Sequence, residues 1–167
     1  MPRHIPDRGA DADADQTGTT SPVTAGTVVA STFEEQAPAL PNEMADLRRK
    51  LTRWLGEFPL GPDSKHDITL ATYEALSNVA AHAYPDGHGW ARLQATRSGD
   101  ALTVTVTDTG CGIPATRQHQ PGLRTSGGRG LLLIEKVADR SDINTGDHGT
   151  EIRMTWHPAA LRTECRT

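Results

Sequence analysis

The chain has 167 residues, a hydrophobic fraction of 35%, an aromatic fraction of 4% and a formal net charge of −4. This length holds one domain of ordinary size plus a tail, and the low apolar content indicates that part of the chain stays outside the core. A pI near 5.9 leaves no basic excess, which argues against nucleic acid as a direct partner. No stretch approaches the roughly 18 apolar residues of a membrane span, and the N-terminus lacks an apolar leader segment. We therefore expect a cytoplasmic protein that does not enter the membrane.

Two polar segments flank the predicted domain. Residues 1–26 are rich in Asp, Ala, Thr, Gly and Pro and are predicted to form a disordered acidic tail, with an interaction arm as the alternative. Residues 159–167 form a shorter polar C-terminal tail. Such segments bury too little apolar surface to offset the entropy lost on ordering. The folded domain is therefore predicted to span residues 27–158.

The first half of this domain is predicted to contain one strand and two helices. Residues 27–33 (TVVASTF) have the composition of a strand. Residues 41–55 place apolar side chains at helical spacing, and a loop rich in Pro and Gly ends that helix. Asp63 or Ser64 is predicted to cap a second helix, which runs to about Ala83. The apolar positions of the first helix are Met44, Leu47, Leu51, Trp54 and Leu55.

The second half is predicted to contain four strands and a third helix. Residues 91–97 and 102–108 form a hairpin, and the second of these strands alternates apolar residues with threonine, as expected when one face is buried. A helix is predicted over residues 131–138, and two further strands over 141–145 and 150–156. Hairpins with helices stacked on one face predict an α+β two-layer sandwich with a mixed, mostly antiparallel sheet.

The second helix carries a polar row. At about 100° per residue, Glu74, Asn78 and His82 lie on one side of the helix. An Asn amide oxygen is a neutral, hard ligand suited to magnesium, and a carboxylate one turn away can deprotonate a hydroxyl that attacks a phosphate. A solvated polar stripe is the alternative. The adjoining face, predicted to pack on the sheet, contains Ile68, Thr72, Ala75, Leu76, Val79 and Ala83.

The segment DTGCGIP follows directly after a predicted strand. A carboxylate at a strand end, Asp108, can accept a hydrogen bond from an adenine amino group. Gly110 and Gly112 let the backbone approach a base closely because they have no side chain. A tight turn with a surface carboxylate is the alternative interpretation.

A second glycine-rich segment, GGRGL, opens the third helix. Gly128 and Gly130, followed by Leu131, expose backbone N–H groups and the positive end of the helix dipole to phosphate. The polar segment before it, residues 115–126, is long enough to fold over a nucleotide as a lid. The pair Gly149-Thr150 at the start of the last strand indicates by itself no more than a turn.

Taken in order, EALSN, DTGCGIP, GGRGL and GT resemble the N box and the three glycine boxes of the GHKL superfamily, whose members share the Bergerat ATP-binding fold. The small RsbW-type branch of anti-sigma-factor serine kinases fits best. The chain is too short for the extra domains of gyrase or chaperone members, and no phospho-acceptor helix pair precedes residue 28. The run GLLLIEKVAD and the position of His82 are also similar to that branch.

This resemblance implies a role for each matching residue. Glu74 would be the general base and Asn78 the magnesium ligand. Asp108 would contact adenine, with Thr150 assisting. Arg124 is the nearest candidate for the arginine that reaches the terminal phosphate or the partner, although its spacing departs from the family pattern. The residues that would line the base, the sugar and the phosphates are Gly110, Gly112, Gly128, Gly130 and Leu131.

The resemblance also implies the function. ATP and Mg²⁺ would be bound, and a serine of an anti-anti-sigma (STAS-domain) partner would be phosphorylated. Released from that partner, the protein would sequester a sigma factor, and a homodimer is typical of the branch. The alternative is a nucleotide-gated binding module without effective kinase activity. The presence of both Glu74 and Asn78 favours the enzyme, because a pure binding module has no need of a base.

Overall fold

A computed structural model describes residues 30–113 and 128–159 of the chain. The predicted tail over residues 1–26 lies outside these ranges, as does all but the first residue of the predicted tail over 159–167. The predicted lid over residues 115–126, including Arg124, lies outside them as well. In the described ranges, no helix is both long enough and apolar enough to cross a membrane.

The described chain forms five strands and three α-helices, the second of which continues into a π-helical turn. In chain order the elements are β1 (Ser31–Pro38), α1 (Pro41–Leu55), α2 (Pro62–Asn78) with its π-helical turn (Val79–Ala83), β2 (Trp90–Ser98), β3 (Ala101–Asp108), α3 (Gly128–Val137), β4 (Arg140–Gly146) and β5 (Gly149–Trp156). The two predicted hairpins and the first two helices are therefore present.

The five strands form one sheet in the order β1-β2-β3-β5-β4. All four pairings between neighbouring described strands are antiparallel. The α+β sandwich with a mostly antiparallel sheet is confirmed. Because β5 adds beside β3 and not beside β2, the end of β3 meets the start of β5, and Asp108 is paired with Thr150.

The helices cover one face of the sheet, and the core lies between the two layers. On β3, Leu102, Val104 and Val106 are buried, whereas the alternating threonines are only partly buried. The predicted apolar positions of α1 and the predicted sheet-facing positions of α2 are all buried. The indole of Trp156 donates a hydrogen bond of 2.8 Å to the carbonyl of Val137, which holds the C-terminal end of α3 over β5.

The first strand was predicted too early in the chain. β1 runs on past residue 33 to Pro38 and includes two acidic residues that locally resemble loop sequence. Glu34 pairs with Arg92 of the neighbouring strand, and Glu35 pairs with Lys50 of α1. Tertiary partners therefore allow charged residues to occupy an edge strand, and a local pattern carries no information about them.

The predicted cap of the second helix is wrong. Gly61 is the N-cap of α2 and Pro62 is its first residue, a position that suits the fixed backbone angle of proline. Asp63 lies within the first turn, where its negative charge is favourable near the positive end of the helix dipole. The third helix also begins earlier than predicted, at Gly128, because its glycines form the first turn.

Candidate functional site

A cavity of about 330 Å³ opens where α2, α3 and the ends of β3 and β5 meet. Its size is at the lower end of the range for small-molecule sites. Most of its wall is apolar, and three polar side chains from the predicted site, Asn78, Asp108 and Thr150, are part of it. Predicted site residues from four segments line it: Asn78, Asp108, Gly112, Leu131 and Thr150. Tertiary folding therefore brings together the four sequence segments singled out above.

Glu74 and Asn78 lie one turn apart on α2, both half-buried, and face the first turn of α3. A Cβ atom built on Gly130 would lie 2.8 Å from Glu74 Oε2 and 3.6 Å from Asn78 Nδ2. Only glycine allows this approach without displacing the carboxylate. Glu74 is not part of the cavity wall but lies directly beside it. His82, the third member of the row, lines the cavity.

The side-chain amide of Asn78 has the hydrogen-bonding capacity to contact a ligand bound in the cavity. Its Nδ2 atom is buried and has no hydrogen-bond partner among the described residues. Buried polar groups are nearly always paired, so this unpaired N–H donor in a cavity wall indicates a missing acceptor, such as a phosphate oxygen. One neutral amide oxygen suits magnesium, which takes its remaining ligands from water and phosphate. Over the described residues, no group of three or more His, Cys, Asp or Glu side chains is arranged to hold a metal ion by itself.

Asp108 lies in the part of the cavity wall that the end of β3 and the start of β5 form, which we call the Asp108 end. It is 6% exposed, and its Oδ1 accepts a 2.8 Å hydrogen bond from the Gly110 N–H. Burial raises the pKa of this carboxyl above its ordinary value, and the backbone N–H groups of Gly110 and Thr150 partly offset that rise. The result is a strong hydrogen-bond acceptor surrounded by apolar wall.

The loop after Asp108 is attached to the π-helical turn at the end of α2. The Cys111 N–H donates a 2.9 Å hydrogen bond to the carbonyl of Ala83, and its thiol lies 3.3 Å from the carbonyl of His82. A Cβ atom on Gly110 would overlap the Ala83 carbonyl oxygen. Ala83 is the last residue of the turn, where helix carbonyls have no partner within the helix, and here the loop uses its carbonyl. This contact explains the need for glycine at position 110.

A tyrosine that the sequence patterns did not identify holds the start of the same loop. The Tyr84 hydroxyl accepts a 2.9 Å hydrogen bond from the Thr109 N–H and donates a 2.7 Å hydrogen bond to the carbonyl of Trp90. It thereby joins the end of α2, the start of β2 and the end of β3. No local motif predicts this role, because the three segments are distant in sequence.

A threonine of β4 holds the end of the loop and was also missed. Thr145 Oγ1 accepts a 2.7 Å hydrogen bond from the Ile113 N–H and lies 3.2 Å from Thr150 Oγ1. Gly112 adopts a positive φ of 70°, and a Cβ atom there would overlap the carbonyl oxygen of Gly146. The loop is therefore pressed against the β4–β5 hairpin, which explains the second glycine of the motif.

The glycines of the third segment begin α3 beside the cavity. Gly128 is the first residue of the helix, Gly130 is buried against Glu74, and Leu131 lines the cavity wall. The first turn of a helix has backbone N–H groups without partners inside the helix, which suits an anion. The contact predicted for Arg124 lies outside the described residues.

Residues 37–156 match the family model of the histidine kinase-like ATPase domain. The chain belongs to this family. The matched range includes every residue that lines the cavity and all four motif segments. The RsbW-type resemblance drawn from the motifs is confirmed by the relatives below.

Three relatives illustrate the range of the match. The serine-protein kinase RsbW of Bacillus subtilis is 28% identical over 135 residues, which covers 74% of this chain and 83% of that protein. The anti-sigma F factor of Thermoanaerobacter sp. is 30% identical over 96 residues, which covers 53% of this chain and 67% of that protein. The structure of the RsbU and RsbW domains of Rv1364c from Mycobacterium tuberculosis has a TM-score of 0.60 at 23% identity, covers 80% of this chain and 35% of that one, and shares the fold.

Proposed function

We propose that the protein binds ATP with magnesium in this cavity and transfers the γ-phosphate to a serine of a STAS-domain partner. We further propose that, when released from that partner, it sequesters a sigma factor. The observation that carries the proposal is the pairing of Glu74 and Asn78 beside a cavity that has Asp108 at its other end. The names of the relatives, serine-protein kinase and anti-sigma factor, support the same assignment.

The Asp108 end suits the adenine ring. The carboxylate accepts a hydrogen bond from the exocyclic amino group, and the hydroxyl of Thr150 lies in the same part of the wall. Apolar side chains, among them Val106 and Ile152, complete this part of the cavity and remove the flat faces of the base from water. One well-placed acceptor in an apolar cavity gives orientation as well as affinity.

The α2–α3 end suits the phosphates. The N–H groups of the first turn of α3 and the positive end of its dipole favour anionic oxygens. Asn78 Oδ1 is the group that would hold magnesium, and the ion, when bound, would neutralise charge on the phosphate oxygens. Gly130 leaves room for this arrangement because a side chain there would strike Glu74.

Glu74 would act on the incoming serine. As the serine oxygen forms its bond to the γ-phosphorus, the bond from that phosphorus to the bridging oxygen of ADP breaks, and ADP leaves with the electron pair. The hydroxyl proton passes to the Glu74 carboxylate. The products are a phosphoserine on the partner and ADP, and the base then loses its proton to water.

The experiment has a binding arm and a transfer arm. Calorimetry measures ATP binding with and without magnesium for the wild type, for Asn78→Ala and for the control Asn42→Ala, an exposed residue of α1. Asn78→Ala should weaken binding only when magnesium is present, because the ion loses its protein ligand. Asn42→Ala should match the wild type.

In the transfer arm, γ-labelled ATP is incubated with the protein and a STAS-domain partner, and the label on the partner serine is measured. Label on that serine is the expected result. A wild type that binds ATP and a sigma factor but labels no STAS partner would support the nucleotide-gated binding module instead. A wild type that does not bind ATP would overturn both functions.

A further inference from the structure

Thr145 does not line the cavity, yet it contacts two residues that do. It lies near the end of β4, one residue before Gly146, and is paired across the hairpin with Thr150. Its hydroxyl accepts a 2.7 Å hydrogen bond from the Ile113 N–H and is 3.2 Å from the Thr150 hydroxyl. Ile113 and Thr150 are both part of the cavity wall. Thr145 therefore connects the loop after β3 to the start of β5, and it does so from outside the cavity wall.

Either hydroxyl of the threonine pair can be the donor, and the hydrogen bond from the Ile113 N–H, which already occupies one lone pair of Thr145 Oγ1, favours Thr145 in that role. An amide N–H can only donate, so Thr145 Oγ1 is the acceptor toward Ile113. The single hydroxyl hydrogen of Thr145 is then available to donate to Thr150 Oγ1. When Thr145 is the donor, the hydroxyl hydrogen of Thr150 is free to turn into the cavity. Thr150 then presents a donor next to the acceptor of Asp108.

We propose that Thr145 is a positioning residue that sets the Thr150 hydroxyl as a donor and so makes the cavity selective for adenine. On its Watson–Crick edge adenine presents an amino donor beside a ring-nitrogen acceptor, whereas guanine presents a carbonyl acceptor beside an N–H donor. Acceptor Asp108 with donor Thr150 complements adenine and opposes guanine. This inference rests on the proposed nucleotide binding. It adds Thr145, which lies outside the cavity wall, as a residue that determines selectivity for the base.

The chain contains a control for the loss of the cross-strand hydrogen bond by itself. Thr103 and Thr155 form the same kind of pair, directly opposite each other on β3 and β5, with hydroxyl oxygens 3.1 Å apart. Neither residue lines the cavity. Removing the Thr103 hydroxyl takes away this cross-strand hydrogen bond alone, whereas removing the Thr145 hydroxyl also takes the acceptor from the Ile113 N–H. Only the pair of Thr145 and Thr150 should affect the nucleotide.

The test compares Thr145→Val, Thr145→Ser and Thr103→Val. Calorimetry measures the Kd for magnesium-ATP, competition measures how much GTP displaces bound ATP, and circular dichroism checks folding and the thermal midpoint. Thr145→Val should weaken ATP binding about tenfold and narrow the preference for ATP over GTP by a similar factor. Thr145→Ser retains the hydroxyl and should stay within about threefold of the wild type. Thr103→Val should leave both values unchanged, whatever its midpoint.

Several results would overturn the inference. The first is a Kd for ATP of Thr145→Val equal to that of the wild type. The second is a loss of ATP affinity in Thr103→Val as large as in Thr145→Val. The third is ATP binding by Thr145→Ser as weak as that by Thr145→Val. If Thr145→Val fails to fold, Thr145→Ala replaces it, and equal affinity for Thr145→Ala and Thr145→Ser overturns the role of the hydroxyl. A wild type that binds ATP while Thr145→Val is unaffected refutes only this inference. A wild type that binds no ATP refutes the proposed function with it.

Discussion

The two ends of the cavity satisfy their polar groups in different ways. At the Asp108 end, polar groups pair within the protein: Asp108 with the Gly110 N–H, the Ile113 N–H with Thr145, and the Thr109 N–H with Tyr84. At the α2–α3 end, the described residues provide no partner for the amide nitrogen of Asn78. The first end is therefore paired within the protein, whereas on the proposed function a ligand completes the second.

This difference separates affinity from chemistry. A preformed end costs little reorganisation on binding, so its groups contribute mainly to the affinity for the base. On the proposed function, Glu74 at the other end acts on the incoming hydroxyl and so contributes to the transfer step, whereas Asn78 contributes to affinity through magnesium. Substitution of Asp108 should therefore alter ATP affinity and substitution of Glu74 the transfer rate, and the predictions for these two residues test that separation.

The largest effect is expected at the α2–α3 end. Glu74→Ala should lower phosphate transfer to a STAS partner by roughly 10²-fold or more, the scale of a lost general base. ATP affinity should stay close to that of the wild type, because the carboxylate is assigned to the incoming hydroxyl and not to the nucleotide. Initial rates with labelled ATP, together with calorimetry, measure both quantities.

Glu151→Ala serves as the control for Glu74→Ala, because Glu151 lies on β5 with its side chain 41% exposed and paired with Arg153. It should leave both the rate and the affinity unchanged. Transfer at the wild-type rate by Glu74→Ala would remove the base assignment. A parallel loss of ATP affinity would show that Glu74 contributes to nucleotide binding as well as to the transfer rate.

An intermediate effect is expected at the Asp108 end. Asp108→Asn keeps the size of the side chain but replaces one acceptor oxygen with a donor amide. A mispaired buried polar contact costs on the order of 1–3 kcal/mol, so ATP affinity should fall about tenfold or more. Calorimetry measures this, and unchanged affinity would remove Asp108 from the adenine contact.

The pH dependence of binding should also reflect Asp108. Burial raises the pKa of its carboxyl above the ordinary value of 3.8, so on acidification it takes up a proton earlier than an exposed aspartate. Only the ionised carboxylate accepts hydrogen bonds at both oxygens, so ATP affinity should decrease as pH falls through the raised pKa.

The stability of the free protein should change with pH in the opposite sense. A raised pKa in the folded state favours folding at low pH, and that contribution to stability is lost as pH rises through the raised pKa. Binding and unfolding titrations of wild type and Asp108→Asn measure both trends, and Asp108→Asn should lack them.

The smallest effect is expected far from both ends. Deleting residues 1–26 should leave the thermal midpoint and the ATP affinity nearly unchanged if that segment is an acidic tail outside the core. A loss of about 1 kcal/mol already shifts the midpoint of a small domain by several degrees. A drop of that size in a thermal scan would therefore mean that the tail packs on the domain.

Elements with strong local signals could be predicted from the sequence. The amphipathic pattern of residues 41–55 predicted α1 at its observed bounds, and the alternation of apolar residues with threonine predicted β3. The first strand and the cap of α2 were misplaced. In β1 the acidic residues depend on Arg92 and Lys50, which lie far away in sequence, and in α2 the backbone preference of Pro62 determined the start.

The sequence by itself determined which chemical groups the site contains. Residue type and order identify a carboxylate, an amide and three glycine-containing segments, because those groups and spacings carry their chemistry wherever they are placed. The tertiary structure decided how these groups meet. The pairing of β3 with β5 sets Asp108 beside Thr150, the π-helical turn provides the Ala83 carbonyl to Cys111, and β4 brings Thr145 behind the loop. These contacts join residues distant along the chain, and no local pattern encodes them because they depend on strand order and on the packing of helices on the sheet.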